Sequence, residues 1–324
     1  MQRYLSLHIS GFSDVIKDAL HRRFSDVKIL EQSDDLVVYE TDAPIGKVNH
    51  SPFFSNTYLL IKSFSDISVN DVLEELVDLP LDKKLSNVAE GDSFRIYVAQ
   101  EGPASTTNHL LLERIEKNVS GQLGLIVHRA KPYWEFWIIT RSNRKAYFSL
   151  KLTYHPSYDK SLVSGDLRPD LASLLCYVSD PQKSDIFLDP MCGNGAIPLI
   201  RAEIGKFSRI YGMDADINKI ANLRETFKLE KVVFEAGDVS KKLPLVDGSV
   251  NKVVTHLSML DPDLTDEFLS ESGRLLQKEG VLVAMVGEDS PMFKLFEQRG
   301  FALARSYDIY LSGKNGTVVK LIRH

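Results

Sequence analysis

Cysteine is nearly absent. Cys176 and Cys192 are the only two in 324 residues, and neither stands at the spacing of a zinc or redox motif. That number excludes a disulfide framework, and two free thiols fit a reducing compartment, so a cytoplasmic protein is expected. The eight histidines are scattered, with no His-x-x-x-His pair, and no dedicated metal site is expected. No apolar run approaches the ~20 residues of a membrane-spanning helix. The opening segment, MQRYLSLHISGFSD, lacks the apolar core of a signal peptide, so neither a membrane nor secretion is expected. A surplus of positive charge is also missing. With 39 Lys and Arg against 44 Asp and Glu, the net charge of −5 argues against a surface coated throughout with nucleic acid.

What is present is an ordinary globular composition, 44% hydrophobic and 26% charged, with no internal repeat or low-complexity tract. The length is natural for about two domains. Basic residues bunch in two places, HRAK (128–131) and RSNRK (141–145). Arg129, Lys131, Arg141, Arg144 and Lys145 are therefore either nucleic-acid contacts or solvated loop charges.

The first 64 residues read as a small α+β unit. A strand over Tyr4–Ile9 leads to a helix that sets Val15, Ile16, Ala19 and Leu20 on one face, behind a Ser13/Asp14 cap. A hairpin (VKILEQSDDLVVYE) and the strand NTYLLIKSF complete it. A second unit, 65–152, has a helix over Asn70–Leu79, a strand at 93–100 and a helix from Ser105 to Asn118. A strand in QLGLIVHRA and a tight hairpin at YWEFWIIT and KAYFSLKL follow. Residues 153–166 read as a linker, and Arg168-Pro169 opens a helix over Pro169–Val178.

From 167 to 324, seven strands follow: Ile186–Leu188, Ile210–Met213, Val232–Ala236, Val250–Thr255, Val281–Val286, Phe301–Leu311 and Thr317–Ile322. Helical patterns are expected between the first five, the signature of a parallel α/β sheet. The short SGKNG turn before the last strand demands an antiparallel pair.

Chemistry gathers at the strand ends. The first strand runs into FLDPMCGNGAIPLIRAE (187–203), where Gly193 and Gly195 let the backbone approach a ligand with no Cβ between. Open α/β sheets bind ligands beyond the carboxyl ends of their strands. Three acids fall there in succession: Asp189, Asp214 and Asp238. Such a set repels a pyrophosphate and suits an amine, a ribose diol or a sulfonium, all of which S-adenosylmethionine carries. Asp214 is placed for the ribose hydroxyls, Asp238 for the adenine amine, with Val239 beside it, and Asp189 for the amino-acid end.

DPMCGNGA is similar to the DP-x-CGSGT motif of class I methyltransferases that act on RNA, with Asn194 for serine and Ala196 for threonine. The stretch LRPDLASLLCYVSDPQKSDIFLDPMCGNGA resembles the join between an RNA-binding THUMP domain and its methyltransferase domain. The likeness covers essentially the whole chain. It implies a ferredoxin-like unit (1–64), a THUMP-like unit (65–152), a linker (153–166) and a Rossmann-like methyltransferase domain (167–324). The implied fold is thus α/β, a seven-stranded, mostly parallel sheet with an antiparallel last pair, preceded by α+β units. The nearest group methylates the 2-amino group of a guanosine in tRNA. Asp189, Pro190, Gly193, Gly195, Asp214, Asp238 and Val239 would hold S-adenosylmethionine, and RNA, as tRNA, would be the partner.

After its fourth strand that family carries Asn/Asp-Pro-Pro-Tyr/Phe, which accepts the N–H bonds of the base amine and stacks on the base. Here the stretch is VVTHLSMLDP: His256 takes the Asn position, Leu257 and Ser258 the prolines, and Met259 the aromatic. His256, if neutral, can accept one hydrogen bond and the Leu257 carbonyl another; equally, His256 can simply cap the strand end. A cofactor-binding but inactive RNA-binding module is therefore the second expectation. A small-molecule methyltransferase is the third, since the N-terminal half would then be unexplained. Methylation at a pyrimidine C5 needs a cysteine nucleophile, and no cysteine follows the fourth or fifth strand.

Overall fold

The computed structural model describes residues 1–81, 85, 88–101, 108–153, 167–257, 262–287, 290–311 and 314–324. They build two sheets. The first takes β1 (Gln2–Leu7), β2 (Lys28–Gln32), β3 (Leu36–Thr41), β4 (Asn56–Phe64), β5 (Ser93–Gln100), β6 (Ile126–Val127), β7 (Trp134–Thr140) and β8 (Ala146–Lys151), in the order β2-β3-β1-β4-β8-β7-β5-β6. Residues 1–64 and 65–152 thus share one continuous sheet, joined where β4 pairs antiparallel with β8, from Tyr58 opposite Lys151 to Phe64 opposite Ala146.

Helices α1 (Ser13–Arg23), α2 (Ile45–Asn49), α3 (Val69–Val77) and α4 (His109–Leu123) accompany this sheet. A second set of side chains, Leu5, Leu36, Val38, Tyr58, Ile139 and Tyr147, forms a small core of its own. A polar seam lies beside it: Arg141 meets Asp35 at 2.9 Å, and the Lys145 ammonium and Tyr147 hydroxyl both donate to Glu31 at 2.7 Å.

Some local expectations fail for identifiable reasons. Helix α1 is preceded by Phe12 with no side-chain cap; the Ser13 hydroxyl donates to the Ser33 carbonyl instead. Helix α4 continues to Leu123 and stops at Gly124, whose φ of +69° suits a left-handed cap, so QLGLIVHRA yields only the two-residue β6. The Gln122 side chain anchors that extra turn, accepting from the Leu81 amide and donating to the Leu79 carbonyl at 2.8 Å each. The expected helix start at Ser105 lies outside the described residues; within them, Asn108 caps the helix by accepting from the Leu110 and Leu111 amides.

The second sheet takes β9 (Ile186–Asp189), β10 (Arg209–Asp214), β11 (Val232–Ala236), β12 (Val250–Leu257), β13 (Leu276–Gly287), β14 (Phe301–Leu311) and β15 (Lys314–Arg323). Its order is β11-β10-β9-β12-β13-β15-β14, and β15 alone runs antiparallel to its neighbours. Helices α5 (Pro169–Val178), α6 (Ala196–Ile204), α7 (Ile217–Thr226), α8 (Pro262–Leu275) and α9 (Met292–Leu295) accompany it. The helix expected between β11 and β12 does not form. Residues 237–249 run through turns instead, with Pro244 lacking a donor and Gly248 at φ +61°. The expected linker at 154–166 lies outside the described residues.

One buried cluster runs from the first sheet into the second, with Phe12, Phe53 and Phe54 packed in the same core as Leu171, Leu174, Tyr307 and Ile309. Phe12 stacks on Tyr307 with ring centres 5.4 Å apart, and Phe53 meets Tyr177 edge-on. Ion pairs from Arg22 to Asp180 and from Arg305 to Asp14 rim this contact. At its centre Asp170 is wholly buried, accepting from the Ser55 hydroxyl at 2.7 Å and pairing with Arg168 at 2.6 Å. Gly11, at φ +88°, lies so close to the Asp308 carbonyl oxygen that a Cβ there would collide with it. No described helix is long and apolar enough to cross a membrane.

Candidate functional site

The strand order places the ends of β9, β10 and β11 side by side, each with its aspartate. Between β9 and α6 the chain makes its glycine turn. The Cys192 amide donates to the Met213 carbonyl at 2.7 Å, and the Gly193 amide donates to Asp214 Oδ2 at 2.8 Å. The end of the second strand therefore clamps the turn that follows the first.

The two glycines differ. Gly195, at φ +83°, has no room: a Cβ would stand 2.8 Å from Leu223 Cδ2. Gly193, at φ +53°, has open space where its Cβ would be. The first helical residue follows with no side-chain cap, so the amides of α6's opening turn are left to a ligand or to solvent.

Asp189 is almost completely buried at 2% exposure. Burial pushes its carboxyl up to about 7, and nearby Asp214 adds to the rise, while Thr255 and the Met191 amide, 3.3 Å from Oδ1, pull the other way. Pro190 is buried beside it. Asp214 also accepts from the Asp216 amide at 3.0 Å. Asp238 is more occupied than its expected role requires. Its Oδ1 accepts from the Ser240 hydroxyl at 2.8 Å and the Ser240 amide at 3.0 Å, and Oδ2 pairs with Lys241 at 3.4 Å. The Ser240 bonds hold its carboxyl below the usual range. Val239 is buried in the same core as Leu188 and Met213.

The structure thus brings Asp189, Pro190, Gly193, Gly195, Asp214, Asp238 and Val239 to one end of three adjacent strands. Carboxylates beside uncapped helix amides, with an open approach at Gly193, fit a ligand carrying both cationic and anionic groups and a diol. S-adenosylmethionine is such a ligand.

His256 and Leu257 stand at the end of β12, next to β9. His256 is half-buried and lies in register with Met285 of β13. Its burial lowers the imidazole below its ordinary value, so the ring is neutral at pH 7 and can accept a hydrogen bond. The Leu257 side chain is core. Ser258 and Met259 lie outside the described residues. Cys192 is buried with its thiol pushed up by desolvation, which makes it inert packing rather than a nucleophile.

The basic residues do not gather into one patch. Arg129 precedes β7, while Arg141, Arg144 and Lys145 follow it. Arg129 pairs with Glu116, Arg141 with Asp35, and Lys145 with Glu31, while Arg144 donates to the Asp66 carbonyl. Lys131 is exposed, with no ion pair among the described residues. Among those residues no group of His, Cys, Asp and Glu could hold a metal ion.

Two features escaped sequence reasoning. One is the buried Ser55–Asp170–Arg168 link. The other is Thr255, wholly buried beside Asp189; its place one residue before His256 is the only sequence signal it gives.

Counting the second sheet's strands from one, the order is 3-2-1-4-5-7-6 with the last strand reversed and a glycine turn after the first. This is the class I methyltransferase fold. Residues 156–315 match the family model described as RMKL-like, methyltransferase domain (UPF0020). The likeness to solved structures runs the whole length. TrmN from Thermus thermophilus shares 20% identity over 100% of both chains, at a TM-score of 0.82. SMU.472, solved as a complex with SAH, shares 12% identity over 100% of this chain and 98% of its own, at 0.70. A predicted N6-adenine-specific DNA methylase from Listeria monocytogenes shares 14% identity over 98% and 95%, at 0.70. No curated protein sequence matches the chain.

Proposed function

We propose that this chain is an S-adenosylmethionine-dependent RNA methyltransferase, acting on tRNA at a base amine, guanosine N2 being the leading acceptor. The observation that carries the reading is the pairing of a methyltransferase domain with an N-terminal half, residues 1–152, built on its own sheet, the whole alike in fold to TrmN from end to end. A small-molecule enzyme has no need of that N-terminal half. In this reading residues 1–64 form a ferredoxin-like unit and 65–152 a THUMP-like RNA-binding unit, with 167–324 carrying the chemistry. The Listeria protein's description also names an exocyclic base amine, N6 of adenine.

The cofactor supplies a methyl group on a sulfonium, and the protein's share is positioning and exclusion of water. Asp214 receives the ribose hydroxyls, Asp189 the ammonium, and the amides of α6's opening turn the carboxylate. An exocyclic amine is a poor nucleophile because its lone pair is delocalised into the ring. Neutral His256 accepts one of its N–H bonds and the Leu257 carbonyl the other, which localises the lone pair on nitrogen. Lys131, exposed on the loop before β7, contacts RNA phosphate.

The replacement of Asn-Pro by His256-Leu257 favours one rival, a cofactor-binding module without activity. Incubating total tRNA with labelled S-adenosylmethionine separates the two. Transfer that is lost in His256→Ala supports the enzyme; cofactor binding with no transfer to any RNA supports the module.

A further inference from the structure

Thr255 has no part in that mechanism, yet its placement is unusual. It is wholly buried, and its Oγ1 completes no hydrogen bond in the structure. A hydroxyl stripped of water and left without a partner is costly, so such groups recur where a ligand completes the network. β12 pairs parallel to β9 with Val253 opposite Leu188, which brings Thr255 level with the strand end where Asp189 leaves the sheet. The Thr255 hydroxyl favours the charged form of that carboxyl, as does the Met191 amide. Among the described residues, the other ionisable groups that act on Asp189 are Asp214 from β10 and the thiols of Cys192 in the glycine turn and Cys176 in α5, and none of these is a cation. Lys219 acts on Cys192, and Arg201 acts on Cys176.

We propose that Thr255 is a positioning residue: its hydroxyl donates a hydrogen bond to the Asp189 carboxylate, and that carboxylate receives the cofactor's ammonium group. The inference rests on the S-adenosylmethionine reading above. Burial outweighs the lowering by Thr255 and the Met191 amide and leaves Asp189 at about 7, half protonated near neutrality, and a protonated carboxyl neither attracts a cation nor has both oxygens free to accept. On the protein side the Met191 amide, at 3.3 Å, already counters that burial; Thr255 completes its bond when the ligand is seated, and the ligand's ammonium supplies the third donor. Serine can take over this role; valine, nearly the same shape, cannot.

Calorimetry on the full chain between about pH 5.5 and 8.5 tests the idea with two probes. S-adenosylhomocysteine keeps the ammonium; 5′-methylthioadenosine keeps the adenosine and lacks the amino-acid end. In the wild type, affinity for S-adenosylhomocysteine should rise with pH through about 7 and then level. Thr255→Val should displace that rise upward, weakening binding ~tenfold per pH unit of displacement below the plateau. Thr255→Ser should restore the wild-type curve, and Thr255→Ala replaces the valine variant if that one fails to fold. 5′-Methylthioadenosine should bind all folded variants equally at every pH. An unmoved S-adenosylhomocysteine curve in Thr255→Val overturns the inference. So does an equal loss for both probes at every pH, which marks a purely structural hydroxyl. Failure of the wild type to bind either probe overturns the cofactor reading itself.

Discussion

The Asp214 carboxylate accepts its hydrogen bond from the Gly193 amide at 2.8 Å, so one side chain both tightens the glycine turn and charges the end of β10. The two roles can be separated. Asp214→Asn keeps an oxygen for the Gly193 amide but loses the charge and the acceptor of the Asp216 amide. It should cost only ~1 kcal/mol of stability while weakening S-adenosylmethionine binding about tenfold, a loss of ~1.4 kcal/mol. Asp214→Ala should lose the cofactor and also at least ~1.5–3 kcal/mol of stability, since two hydrogen bonds to a charged acceptor disappear. Denaturant titration beside calorimetry reads both.

The two glycines of the turn predict opposite phenotypes. Gly195→Ala places a methyl group 2.8 Å from Leu223 at a positive φ, and should cost ~2–4 kcal/mol of stability. Gly193→Ala meets nothing in the protein and should cost only the ~1–2 kcal/mol of a left-handed alanine. Its methyl group instead occupies the open approach, so cofactor affinity should fall more than tenfold while the chain stays folded.

His256 predicts a pH signature. Unfolded, its imidazole takes up a proton below about pH 6.5; folded, burial delays that to lower pH. The unfolded chain binds more protons in that window, so stability should fall as pH drops from about 6.5 toward the folded value. His256→Gln should flatten this slope in melting curves. Buried His8 shares the window and should retain its own part of the slope. In methyl transfer, His256→Ala should lower kcat ~10²-fold and His256→Asn, which can still accept, by much less.

Beneath the sheet, Arg201 and Asp185 form an ion pair 2.8 Å long in which both side chains are fully buried. Arg201→Met leaves the carboxylate without its cation and should destabilise the chain by ~3–5 kcal/mol. Cofactor affinity measured on whatever fraction stays folded should be unchanged, because the pair lies at the far end of β9 from the glycine turn.

The second sheet and the gathering of acids at one end of it were legible because they depend on local pattern: short apolar strands, acids at their ends, and a glycine turn before a helix. The failures were of two kinds. Marginal local signals went astray, as at the longer α4 and at the helix absent between β11 and β12. More tellingly, side chains meet partners that no spacing reveals. Arg141 and Lys145 read as free cations, but their carboxylates lie 106 and 114 positions away. Thr255 reads as one more β-branched strand residue, and only its burial beside Asp189 with no completed bond marks it out.

Gly11, in the loop after β1, touches the Asp308 carbonyl of β14 with no room for a side chain between them. Parts joined that way act as a caliper, with the span between the N-terminal sheet and the glycine turn set once as each molecule folds. A polymer gripped at one jaw would present to the other whichever residue lies one fixed length along it, whatever its neighbouring sequence. Gly11→Ala should loosen the jaws, and an assay of the proposed RNA methylation should then show transfer to a wider spread of nucleotides than with the wild type.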